Sequence, residues 1–224
     1  SKGLWLEQDN EAFGMTPSSS SSLSNNHQSH NIQSVIADSF TLRKLQTWDR
    51  LAVETLCNES FPIQYPDCWY DEVVSGGLTS TGLFDGEHLA AMIDQDIVAE
   101  TNVHVTYILS IAVNKKFRRM GLATRLLNNL MQSLTDNPPF TRAVFLHVLS
   151  TNSAALSFYR MHGFEFHASL RDYYKIGEEY ADGCTYVKYI NGAHASAVSF
   201  SDICKTFGNT ICMPLKAVCK MLSF

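Results

Sequence analysis

The chain has 224 residues, with 17 basic against 22 acidic side chains and a net charge of −5; without a long basic run to neutralise a phosphate backbone, nucleic acid is excluded as the expected partner. Only 17% of the residues are charged while 45% are hydrophobic, enough for the core of one domain with flanks. No apolar run approaches the roughly 20 residues of a spanning helix, the six cysteines lack CxxC spacing and read as reduced thiols in the cytosol or on its membranes, and neither they nor the eight histidines are spaced as metal ligands.

The first segment, 1–37, holds the run TPSSSSSLSNNHQSHNIQS from Thr16 to Ser34, which cannot bury enough apolar surface to offset its ordering entropy and reads as a disordered or variable leader. SFTLRKL then reads as a short strand. TWDRLAVETLCNESF follows as a helix, with Thr47 as its cap and Trp48, Leu51, Val53, Leu56 and Cys57 as its apolar stripe. In FPIQYPDCWYDEVVSGG, two prolines and the aromatics Phe61, Tyr65, Trp69 and Tyr70 predict a rigid turn into a short helix that stops at Gly76 and Gly77. LTSTGLFDGEHLAAMI reads as two strands hinged at Asp85-Gly86, and HVTYILSIAV, from His104 to Val113, as a stronger strand. Between them MIDQDIVAETN reads as a short connection.

In NKKFRRMGLATRLLNNLMQSL, leucines 122, 126, 127, 130 and 134 recur at helical spacing, and Asn137-Pro138-Pro139 ends the helix. AVFLHVLS, apolar except for His147, reads as a strand covered on both faces. NSAALSFYRMHG is a second helix, with Asn152 or Ser153 at its cap and Gly163 closing it. FEFHASL and CTYVKYING are strands on either side of a polar, aromatic loop, RDYYKIGEEYADG. The order β-α-α-β-β-β-α-β-α-β-β describes a mixed α/β sheet. After it, 193–224 reads as two short amphipathic helices in which Lys205, Lys216 and Lys220 stand against Asp202; that composition suits a membrane interface, or equally a helix packed on its own domain.

The most informative spot is Arg118-Arg119-Met120-Gly121-Leu122-Ala123, between a strong strand and a strong helix. Glycine lets backbone approach an anion, and the helix start offers unpaired N–H groups and a positive dipole end, together a site for a pyrophosphate. The missing glycines and missing acidic residue about 20 positions on argue against a dinucleotide fingerprint. By themselves the other candidates stay open: His147 as a proton acceptor or a satisfied core histidine, Tyr107 as a functional phenol or a strand aromatic, Asn152 as a contact or only a cap, Tyr159 likewise or only packing.

The R-x-x-G-x-A pattern resembles the signature of the Gcn5-related N-acetyltransferase superfamily, and FPIQYPDCWY, TYILSIAV, LHVLSTN, FYRMHGF, DYY and DGCTYVKYING resemble its Golgi-associated NatF-type N-alpha-acetyltransferases. The resemblance implies an α/β domain over 38–192, with a central sheet of about seven strands split between the fourth and fifth and about four flanking helices. It implies acetyl-CoA as co-substrate and no metal. Its pyrophosphate would lie on Arg118, Arg119, Met120, Gly121, Leu122 and Ala123, its pantetheine arm along Leu109, Ile111 and Val113 and against Asn152, and its sulfur near Tyr159. An oxyanion donor would come from a backbone N–H near Leu109 to Ile111.

Tyr107 and His147 would be general base and proton relay for the attacking α-amine, and Phe61, Ile63, Gln64, Tyr65, Leu109, Tyr173 and Tyr174 would wall the substrate groove. The implied substrates are proteins beginning Met-Leu, Met-Ile, Met-Phe, Met-Tyr or Met-Lys, especially membrane proteins with cytosolic amino termini. The implied location is the cytosolic face of the Golgi membrane, held by the tail, with a weak homodimer as a further partner. Alternatives are acetylation of internal lysines, as in histones, and a non-catalytic acetyl-CoA-binding, membrane-docked module. Cys204, Cys212 and Cys219 are either small hydrophobes or palmitoylation sites, the former favoured. Gln64 stands where the family's turn usually has Glu, which weakens a carboxylate contact to an amide hydrogen bond. The short MIDQDIVAETN connection is either a trimmed loop or a compromise of the third strand.

Overall fold

The computed structural model describes residues 39–100, 103–138 and 140–194; the expected leader and the C-terminal tail helices lie outside the described residues. Seven strands form one sheet in the order β1-β2-β3-β4-β5-β7-β6. They are β1 (Thr41–Lys44), β2 (Thr79–Asp85), β3 (His88–Glu100), β4 (Val103–Val113), β5 (Ala143–Leu149), β6 (Glu165–Ile176) and β7 (Glu179–Tyr189). Four helices flank it: α1 (Arg50–Ser60), α2 (Asp67–Ser75), α3 (Leu122–Asp136) and α4 (Ser153–Met161). The element order is the one the sequence predicts, and every strand pair is antiparallel except β4 with β5.

The two faces of the sheet are filled by different helices. On one, the predicted α3 leucines, Leu122, Leu126, Leu127, Leu130 and Leu134, pack with Ile93, Ile108, Val144, Leu146 and, from α4, Tyr159. On the other, Val53, Leu56 and Cys57 of α1 and Trp69, Tyr70, Val73 and Val74 of α2 cover Met92 and Ala112. Trp69, Leu56 and Cys57 are essentially inaccessible to solvent, and at about 1.5–3 kcal/mol per fully buried large apolar side chain this layer holds α1 and α2 on the sheet. Arg50 of α1 adds ion pairs to Asp67 and Asp71 of α2 and to Glu54 one turn along its own helix.

Three local expectations need correction. Thr47 does not cap α1: it opens a single 3₁₀ turn, Gln46 and Asp49 close the capping box, and α1 begins at Arg50. Trp48 and Leu51 are consequently about three-quarters exposed, and the buried stripe is Val53, Leu56 and Cys57 alone. The Arg43 guanidinium, bidentate on Asp49 at 2.6 and 2.9 Å, fixes that turn and holds the carboxyl below its usual range.

The segment RDYYKIGEEYADG is a hairpin and not a loop, because β6 and β7 pair on to Ile176↔Glu179 around Gly177. Likewise, most of MIDQDIVAETN is strand: β3 pairs with β4 through Glu100↔Val103, so the third strand is lengthened, not compromised, by the short connection. The hairpin at Asp85↔His88 turns through Gly86 in the left-handed region, as Asp-Gly predicts.

Candidate active site

The ladder between β4 and β5 runs from Val105↔Ala143 to Ile108↔Leu146 and then stops, although β4 continues to Val113. A bulge separates them. Asp94 and Gln95, adjacent on β3, face Ser110 and Ile108 on β4, so Leu109 is an extra residue. Bulges bend and over-twist their strand, and this one sits where β4 parts from β5. The edge of β4 carrying Leu109, Ile111 and Val113 therefore has no strand beside it on the β5 side among the described residues.

At the end of that edge the chain turns into α3. Arg119 and Gly121 are both left-handed, with φ of 64° and 81°, and flank Met120. The first helical bond comes from the Arg125 N–H to the Gly121 carbonyl at 3.0 Å, so the N–H groups of Leu122 and Ala123 belong to the unpaired first turn and carry the positive end of the dipole. The Leu122 side chain is buried in the core, which leaves only its backbone for a ligand. Arg118 Nε donates to the Val113 carbonyl at 3.2 Å, tying the loop to β4, while Arg119 is exposed.

On the α1/α2 face, across the parallel β4–β5 pair, Tyr107 stacks on Phe145 at 4.8 Å between ring centroids, and His147 lies 5.4 Å from Tyr107. His147 Nδ1 is 3.1 Å from Thr185 Oγ1. When Nδ1–H donates to that hydroxyl, Nε2 is left as an acceptor. Burial pushes the imidazole down to about 4, so it is neutral at physiological pH.

Tyr173 closes the far side of His147 at 5.0 Å and meets Tyr174 edge-on at 4.8 Å. A shift in register between Leu170 and Tyr174, with Asp172 left-handed and its N–H on Asp182 Oδ1 at 2.9 Å, places both rings there. Gly183 makes room for them: a Cβ at that position would lie 3.1 Å from Tyr174 and 3.2 Å from Tyr173. From the turn after α1, Tyr65 stacks on Trp69 at 3.9 Å and meets Phe61 at 5.6 Å. Ile63 is half-buried beside them and Gln64 is exposed.

Tyr159 and Asn152 come from α4. Asn152 accepts the Ala155 N–H at 3.1 Å as the helix cap, and Tyr159 is buried against Phe158 and Phe164. Burial raises the phenols of Tyr65, Tyr159 and Tyr174 above their ordinary value, which keeps them as donors. Tyr65 interacts electrostatically with Tyr107, Tyr174 and Asp94, and Tyr174 with Tyr107 and Tyr159. Five phenols from four different segments thus converge on one site.

Sequence reasoning missed Thr185, Phe145, Gly183, Asp94 and Ser110. Thr185 faces His147 only because β7 is inserted antiparallel beside β5, a register no local pattern encodes. Asp94 carried a signal: a carboxylate directly after the apolar run LAAMI. Among the described residues no group of three or more His, Cys, Asp or Glu side chains is placed to hold a metal ion.

Residues 42–164 match the model of the acetyltransferase (GNAT) family. The chain is 37% identical over 161 residues to N-alpha-acetyltransferase 60 of Danio rerio, a match covering 63% of this chain and 66% of that protein. It is 34% identical over 192 residues to N-alpha-acetyltransferase 60 of Drosophila melanogaster, covering 68% and 70%. It therefore spans about two thirds of the length of these relatives. Among solved structures, NAA60 of Arabidopsis thaliana in complex with a bisubstrate analogue superposes with a TM-score of 0.64 at 24% identity, over 68% of this chain and 99% of that one. The ribosomal-protein-S18-alanine N-acetyltransferase of Escherichia coli superposes at 0.61 and 21% identity, over 71% and 99%. With its seven-stranded sheet parted between β4 and β5 and the Arg118–Ala123 turn ahead of α3, the chain belongs to the acetyltransferase (GNAT) family.

Proposed function

We propose that the chain is an acetyl-CoA-dependent N-alpha-acetyltransferase acting on proteins that begin with Met followed by Leu, Ile, Phe, Tyr or Lys. The observation that carries this reading is the wedge opened by the Leu109 bulge, with an anion-binding helix start at one end and the Tyr107–His147 pair at the other. It is supported by relatives named N-alpha-acetyltransferase 60 and by neighbours bound to acetyl-CoA or to a peptide-CoA bisubstrate analogue.

The thioester supplies the electrophile; the chain supplies the rest. The N–H groups of Leu122 and Ala123 fit a pyrophosphate, and the free edge of Leu109, Ile111 and Val113 fits an amide-bearing arm lying as an extra strand. An α-amine, with a pKa near ~8, is mostly protonated at pH 7 and must lose a proton to react. Neutral His147, oriented by Thr185, is its acceptor at Nε2, and the Tyr107 hydroxyl relays it by passing on its own proton as it takes up the amine's. Tyr159, held protonated by burial, would return a proton to the leaving thiolate. Phe61, Tyr65, Tyr173 and Tyr174 enclose an apolar first side chain.

We further propose that 193–224 holds the enzyme on the cytosolic face of Golgi membranes: its apolar, mildly basic composition is compatible with a membrane interface, and the resemblance to the Golgi-associated NatF-type enzymes is what favours that over a helix packed on the domain. Incubation with acetyl-CoA and three peptides (Met-Leu, Met-Lys, and an amino-blocked peptide with an internal lysine) tests the activity. Product on the free termini supports the reading; product only on the blocked peptide makes the protein a lysine acetyltransferase, and acetyl-CoA binding without turnover makes it a binding module.

A further inference from the structure

Beneath the bulge lies a carboxyl group that no role so far employs. Ser80, Asp94 and Ser110 stand opposite one another on β2, β3 and β4. They form a polar row across the face that Met92 and Ala112 share with α1 and α2, and all three are buried, Asp94 completely. The Ser110 hydroxyl donates to one Asp94 oxygen, while Oδ2 has no hydrogen-bond partner. A buried acceptor left in that state is destabilising, more so when charged, and an apolar residue would not carry that cost.

We propose that Asp94 is a positioning residue of the acetyl-transfer site, which anchors Ser110 and with it the Leu109 bulge. This rests on the acetyltransferase reading above. Ser110 follows the extra residue that parts β4 from β5, so its hydroxyl bond to Asp94 fixes the backbone where an oxyanion donor is needed. Tyr65, from the turn after α1, is one titratable group that burial and, less strongly, the carboxyl push up. Tyr159, from α4, is another.

The other titratable group facing Asp94 is the Cys57 thiol of α1, which burial and the carboxyl together push up. Burial raises Asp94 to about 7, opposed only by Ser110 and its own backbone, with no cation among the groups that shift it.

The test is the pH dependence of kcat/KM for a Met-Leu peptide between pH 5.5 and 9, in wild type, Asp94→Asn and Ser110→Ala. The wild type is expected to lose activity on acidification with a midpoint near 7, in addition to the substrate amine's own limb near ~8. Asp94→Asn keeps shape and an acceptor for Ser110 but not the charge; it is expected to lose the midpoint near 7 and about tenfold in kcat/KM at pH 7.5, with acetyl-CoA affinity unchanged. Ser110→Ala removes the bond that favours the carboxylate and is expected to move the midpoint upward. Profiles of wild type and Asp94→Asn that superimpose after scaling overturn the proposal, as does an unmoved midpoint in Ser110→Ala should Asp94→Asn not fold. A wild type that acetylates no peptide removes the acetyltransferase reading and this inference with it; an active wild type with an indifferent Asp94 removes the inference alone.

Discussion

Replacing Asp94 by asparagine should make the protein more stable, and increasingly so as the pH rises. The carboxyl has an ordinary pKa of 3.8 and is raised to about 7 in the fold. A group raised on folding contributes its relative stability below its unfolded pKa and loses it as the pH climbs through the folded value. The interval is about 3 pH units at about 1.4 kcal/mol each, so the ionised carboxyl opposes folding by about 4 kcal/mol at pH 8 and by less than about 1 kcal/mol near pH 4. Asparagine stays neutral and retains an acceptor for Ser110, and its second polar atom inherits the unpartnered position of Oδ2. Urea unfolding followed by circular dichroism at pH 4.5, 6 and 8 measures the difference. With an m-value of about 2 kcal/mol/M, the variant's midpoint at pH 8 should lie about 2 M higher. A variant less stable than wild type at pH 8, or a gap that does not widen with pH, would refute both the uncompensated burial and the reason for seeking a function in it.

His147→Ala should lower turnover at least about tenfold with acetyl-CoA affinity little changed, because the ring faces Tyr107 and Tyr173 and not the Arg118–Ala123 turn; rate and binding measured separately would show it. Gly121→Ala forces a Cβ into a left-handed conformation at φ 81° at the head of α3, and should cost about 1–2 kcal/mol and weaken acetyl-CoA binding measured by calorimetry. Gly183→Ala crowds Tyr173 and Tyr174 at 3.1–3.2 Å and should raise KM for the peptide several-fold while leaving that for acetyl-CoA unchanged.

The parts of this molecule that were legible in the sequence are those written locally. The α3 leucines, the Asp-Gly hairpin, Gly76 and the Asn152 cap follow from spacing and from residues with one favoured conformation. Arg119 and Gly121 likewise bracket a turn that a strand and a helix announce. What escaped is set by pairing at a distance. The capping box that exposes Trp48 depends on Arg43 reaching Asp49 from β1. Thr185 meets His147 across a strand pair whose members are 38 residues apart. The hairpin of β6 and β7 reads as a loop because it is mostly exposed and lacks a continuous apolar alternation. Asp94 was masked by its neighbours, since Asp94, Gln95 and Asp96 together look like a solvated connection until the β3–β4 register buries the first two.

Asp94 and His147 titrate against each other in the stability of the fold, although one is an acid and the other a base. His147 is depressed from 6.5 to about 4, so its contribution is present above 6.5 and lost as the pH falls through 4, a loss of about 3 kcal/mol. Over the same interval the protein regains about 3 kcal/mol as Asp94 returns to its neutral state. The two slopes oppose each other at about equal size, so the pair together should contribute little pH dependence between pH 4 and 6.5 while each single variant tilts the balance: Asp94→Asn should destabilise toward acid, and His147→Gln should stabilise toward acid. The buried site thus keeps a neutral imidazole and an ionisable carboxyl, each costly alone, whose pH-dependent contributions to stability offset one another over that range.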